Sequence, residues 1–92
     1  MIEALIKAAF ENKASDIFLS EGSIARMKVN GQLMIAGDDP IENEDMVAFW
    51  KRCGADPEYD GDRDSSYVAH NGVRFRVNLN RHLGNLGAVL RQ

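Results

Sequence analysis

From Val73 to Asn80 the chain alternates without interruption. Val73, Phe75, Val77 and Leu79 fall on one parity, and Arg74, Arg76, Asn78 and Asn80 on the other. A period of two marks a strand with one dry face and one wet face. Such a strand cannot stand alone, because it needs hydrogen-bonded neighbours and a layer over its apolar side. The last segment supplies one neighbour: Leu86, Ala88 and Leu90 share a parity that leaves Gly87, Val89 and Arg91 opposite. If the two apolar faces share one core, Arg76 and Arg91 lie on the same outer face. A turn centred on Leu83-Gly84 sets them roughly opposite each other.

The rest of the chain fits this hairpin into a small α+β domain. Ile2, Leu5, Ile6, Ala9 and Phe10 give residues 2–12 the stripe of a helix. Residues 16–20 read as a strand, and 24–30 with 32–36 as a hairpin about Asn30-Gly31. Gly37-Asp38-Asp39-Pro40 is expected to break the chain. Residues 42–52 read as a second helix, with Met46, Val47, Phe49, Trp50 and Cys53 toward the core and Gly54 as C-terminal cap. Residues 55–64 are expected as an acidic loop, followed by strands near 65–70, 73–80 and 86–91, with a tight turn at Asn71-Gly72. The order helix, three strands, helix, three strands predicts a mostly antiparallel sheet of about six strands with two helices on one face.

Charge is divided unevenly along the 92 residues, whose net charge is −3. Residues 1–64 hold all 14 acids and 7 basic residues, a net of −7, whereas residues 65–92 hold Arg74, Arg76, Arg81 and Arg91 and no acid. Two readings fit: a solvated basic face, or a site for an anion. The exclusive use of arginine favours the second, because the guanidinium fork matches phosphate and carboxylate oxygens with paired donors. Overall acidity, and the lack of aromatics among the outer arginines, argue against nucleic acid as the partner.

Other signals are weaker. The lone Cys53 can form neither an internal disulfide nor a multi-cysteine metal site, and no apolar run approaches the roughly 18 residues of a membrane span. With no secretory leader in MIEALIKAAF, a reducing, cytoplasmic setting is expected. Asp56 to Gly61 resembles the start of a calcium loop, but its twelfth position is Tyr67 where a bidentate glutamate is needed, so a solvated loop is expected. His70 reads as a turn residue, and His82 as a loop residue near Arg81 with the option of a subunit contact. Ser15 and Asp16 read as a helix-to-strand junction bonding local backbone, and Phe49 and Trp50 as core.

An ordered set of motifs points further. KASDIFLSEG, MKVNGQL, DSSY, GVRFRVN and GAVLRQ, spread over roughly residues 5–91, resemble the N-terminal domain of PilT-type ATPases, the hexameric motors of type IV pilus retraction related to type II secretion ATPases. The sequence departs from that pattern at Phe18, at Ile24-Ala25 and at Leu79-Asn80. The resemblance implies a PAS-like fold for one domain spanning residues 1–92. It also implies a RecA-like ATPase domain after residue 92, since no G-x-x-x-x-G-K-[ST] loop occurs within this chain. On that footing the fragment alone would not hydrolyse ATP, and the parent protein would be an ATP hydrolase using ATP and Mg. Arg76 and Arg91 match the family positions that reach nucleotide phosphates, with Arg74 and Arg81 as further candidates by proximity. The implied partners are the chain's own RecA-like domain, a neighbouring subunit of a homohexamer, and a pilus or secretion platform at the inner membrane, on its cytoplasmic side. The alternative is a stand-alone PAS-like sensor or interaction module, which predicts a sizeable apolar cavity.

Overall fold

The computed structural model describes residues 2–69 and 71–92, so the turn expectation for His70 lies outside the described residues. Helix α1 (Ile2–Glu11) leads into strands β1 (Asp16–Ser20), β2 (Ile24–Val29) and β3 (Gln32–Pro40). Helix α2 (Asn43–Arg52) then precedes β4 (Arg63–Val68), β5 (Arg74–His82) and β6 (Asn85–Arg91). The six strands form one sheet in the order β3-β2-β1-β6-β5-β4, and every neighbouring pair is antiparallel. The first and last strands therefore meet at its centre. The α+β class, the six strands and the helices on one face are as expected.

The helices cover the face toward which the odd positions of β5 point. Ile2, Ile6 and Ala9 of α1 and Met46, Phe49 and Trp50 of α2 join Ile17, Leu19, Phe75, Val77, Leu79, Leu86 and Leu90 in one core. Trp50 is fully buried, and its indole N–H donates to the Gly87 carbonyl at 3.1 Å, so its polar edge is satisfied. The Phe49 and Tyr67 rings lie 5.1 Å apart in a tilted arrangement.

The β2–β3 and β5–β6 hairpins turn the same way. Asn30-Gly31 has φ of 53° and 78°, and Leu83-Gly84 has 51° and 83°. Paired positive φ values match the right-handed twist of the flanking strands. The turn at Leu83-Gly84 sets Arg76 opposite Arg91, as the parity argument expects.

Two boundaries differ from expectation. The stretch Gly37 to Pro40 does not break the chain, because β3 continues to Pro40. Pairing passes from Arg26↔Ile35 to Ile24↔Pro40, so residues 36–39 bulge out of register. An edge strand tolerates this, since one side of its backbone has no neighbour to serve and a terminal proline costs no ladder bond. The acidic loop is also shorter than expected, because β4 already begins at Arg63, two residues before the expected start.

Candidate anion site on the open face of the sheet

The face opposite the helices carries the even positions of β5, and no element among the described residues covers it. Cross-strand pairing arranges charges there in rows. One row runs Lys28–Asp16–Arg91–Arg76–Ser66 through β2, β1, β6, β5 and β4. The next runs Arg26–Phe18–Val89–Asn78–Asp64. A shallow pocket of about 260 Å³ lies between them, lined in part by Arg76, Arg91, Asn78, Val89 and Asp64.

Arg76 is exposed, and among the described residues it has no hydrogen bond or ion pair. Arg91 donates from Nε to Asp16 Oδ2 at 3.0 Å, which leaves the N–H groups on its two terminal nitrogens for another acceptor. Two arginines opposite each other repel by a few tenths of a kcal/mol. Asp16 offsets this from the far side of Arg91. Its carboxyl is held below the usual carboxylate range, first by the Ser15 hydroxyl, against an opposing effect of burial, and then by Arg91 and Lys28. Ser15 Oγ also donates to the Lys28 carbonyl at 3.4 Å. Asn78 donates to Asp64 Oδ1 at 3.2 Å on the pocket's other flank.

The four arginines singled out in the sequence do not gather at one place. Arg76 and Arg91 stand together. Arg74 shares their face but lies one pair further along β5, opposite exposed Val68. Arg81 has the opposite parity and is committed elsewhere. Its guanidinium donates to the carbonyls of Pro57, Tyr59 and Gly84, and lies 5.9 Å from the centre of the Trp50 ring. This arginine ties the acidic loop to the hairpin end rather than offering charge to a ligand on the open face. His82 ends β5 opposite Asn85 and is exposed.

Asp16 is the site residue that sequence reasoning placed wrongly. Its side chain meets Arg91 across the strands, not local backbone. Its wet parity in Asp16-Ile17-Phe18-Leu19 was a usable signal, but nothing in the pattern says that β1 lies beside β6. Cys53 is no nucleophile, because burial pushes its thiol up to about 11. No group of acids, histidines and cysteine suited to a metal occurs among the described residues, and none of their helices is long and apolar enough to cross a membrane.

The fold has solved counterparts. The structure of the pilus retraction motor PilT with bound ADP superposes with a TM-score of 0.81 at 28% identity, over 99% of this chain and 28% of that one. The chain has the fold of the N-terminal domain of PilT-like ATPases. The ATPase DotB of Legionella pneumophila matches in fold at TM-score 0.69 and 21% identity, over 96% of this chain and 27% of that one. DotB of Yersinia pseudotuberculosis does so at 0.70 and 15%, over 98% and 29%. The chain therefore spans under a third of the length of the solved proteins it matches. No family model and no curated protein sequence matches it.

Proposed function

We propose that this domain serves a hexameric pilus-retraction or secretion motor ATPase by presenting Arg76 and Arg91 to the phosphates of a nucleotide held by an adjoining ATPase domain. One observation carries the reading. The two arginines stand opposite each other on the open face, one with no partner and one with its terminal nitrogens free. The PilT structure that this fold matches contains ADP, which supports nucleotide as the anion.

The chemistry suits the geometry. Phosphoryl transfer spreads negative charge over equatorial oxygens, and preformed guanidinium donors stabilise it without reorganising. Such arginines pull on their own domain only while the terminal phosphate is present, which couples hydrolysis to rigid-body rotation. In this reading the parent protein binds ATP and Mg through a RecA-like domain following residue 92, and the N-terminal domain also packs on a neighbouring subunit of the ring. The machine works on the cytoplasmic side of the inner membrane.

The sensor alternative receives less support. The interior between helices and sheet is filled by Met46, Phe49 and Trp50, all essentially inaccessible. The largest pocket described, about 780 Å³, is a surface cleft with Asp38, Asp39, Glu42 and Asp45 among its lining residues.

The test is steady-state ATP hydrolysis by the longer protein carrying Arg76→Ala or Arg91→Ala. Each substitution is expected to lower kcat at least a hundredfold while the domain's stability changes by no more than a few tenths of a kcal/mol. Wild-type turnover in both variants overturns the assignment.

A further inference from the structure

The two edges of the sheet are finished differently. Strand β4 closes one edge with Arg63, Asp64, Ser65 and Ser66, the polar residues that discourage pairing with another chain. Strand β3 closes the other with Leu33, Met34 and Ile35, whose exposures are 55%, 45% and 66%. Leu33 and Ile35 lie on the open face, in the rows of Lys28 and Arg26, and Met34 lies on the helix side. One side of the β3 backbone has no strand neighbour, and no charged residue stands within residues 29–37. Nothing of the usual protection appears before the bulge at residues 36–39.

Beyond the bulge the character changes. Residues 29–50 contain Asp38, Asp39, Glu42, Glu44 and Asp45 and no lysine or arginine. The 780 Å³ cleft opens here, between α1 and the start of α2, with Leu5, Ala36, Pro40 and Ile41 among its apolar walls. The acids crowd one another: Glu44, through a shared hydrogen bond and its charge, and then Asp45 push the Glu42 carboxyl above its usual range.

We propose that the free edge of β3 takes up an extended segment of a partner protein, apolar where it crosses Leu33 to Ile35 and basic where it reaches Asp38 and Asp39. Strand addition supplies backbone hydrogen bonds, alternate side chains supply specificity, and the acids select lysine or arginine. A second copy of this chain fits less well. Antiparallel pairing of two β3 strands centred on Met34 sets Asp38 opposite Asn30 and brings no cation to it. Antiparallel addition, the slightly more stable mode, places the partner's basic residues at its N-terminal end. This surface is separate from the arginine site and does not rest on the nucleotide reading.

The test uses the 92-residue chain, labelled with nitrogen-15, and two synthetic peptides. One is acetyl-Lys-Lys-Thr-Val-Thr-Val-amide, and the other has glutamates in place of both lysines. The lysine peptide is expected to shift the amide resonances of residues 32–36 and to bind at least tenfold more tightly. Asp38→Lys combined with Asp39→Lys should reverse the preference, with unchanged β5 and β6 resonances reporting an intact fold. Absence of β3 shifts with both peptides, equal affinity for the two, or shifts confined to β4 overturns the proposal. So does a chain that sediments as a dimer whose β3 amides are already protected from exchange.

Discussion

The β5–β6 and β2–β3 hairpins share a turn geometry and differ in almost everything that follows from it. β5 and β6 each lie between two strands, while β3 has a neighbour on one side only. The inner hairpin keeps one register from Arg76↔Arg91 to His82↔Asn85, and the outer one loses register between Arg26 and Ile24. A strand with two neighbours and a covered face has one arrangement that satisfies all three. An edge strand answers to fewer constraints, so it can bulge, admit Pro40 and expose three large apolar side chains. The centre of the sheet is constrained on every side, and its β3 margin is not.

The largest test of this contrast is a matched pair of truncations. Leu90→Ala removes a fully buried side chain of β6 and is expected to cost about 2–5 kcal/mol. Leu33→Ala on β3 is expected to stay within about 0.5 kcal/mol. Denaturant unfolding measures both, and similar costs would mean that β3 is covered in solution. A smaller effect comes from making the two turns alike. Leu83 holds φ of 51° at 90% exposure where the other turn has Asn30. Asparagine visits this conformation far more readily than leucine, so Leu83→Asn should raise stability by roughly 0.5–1 kcal/mol. Unchanged stability would mean that leucine holds this conformation at no greater cost than asparagine.

The smallest effect belongs to the ion pair between β1 and β6. Its arginine is well exposed, so removing the pair should cost only a few tenths of a kcal/mol at neutral pH. The sign is set by the lowered carboxyl of Asp16. The stabilisation is present above the ordinary aspartate value of about 4 and is lost as pH falls through the lower folded value. Acid titration of stability in wild type and Asp16→Asn should therefore converge at low pH and separate above it. Parallel curves would deny Asp16 this role.

The same contrast explains what could be read from residues alone. In the inner hairpin the alternation was strict because each residue faces either core or solvent, so the pairing of Arg76 with Arg91 followed from parity and one turn. At the edge, Gly37-Asp38-Asp39-Pro40 has the composition of a break, and only the missing neighbour lets it serve as strand. Arg81 looked like one arginine among four, yet its parity places it among loop carbonyls beside Trp50. Asp16 was hidden for another reason: strand order is a long-range property that local pattern does not carry. The ordered motifs that resemble PilT-type domains supplied what periodicity could not.

The Asp16–Arg91 contact joins residues 75 positions apart, almost the two ends of the chain. Closing so long a loop costs more chain entropy than closing either hairpin. Until β6 docks on β1, the inner hairpin holds two facing arginines with no carboxylate beside them. Without β1 in place the same hairpin would present repulsion where the complete sheet presents an ordered row. The charge pattern of the open face is thus balanced only when the two ends of the chain lie side by side.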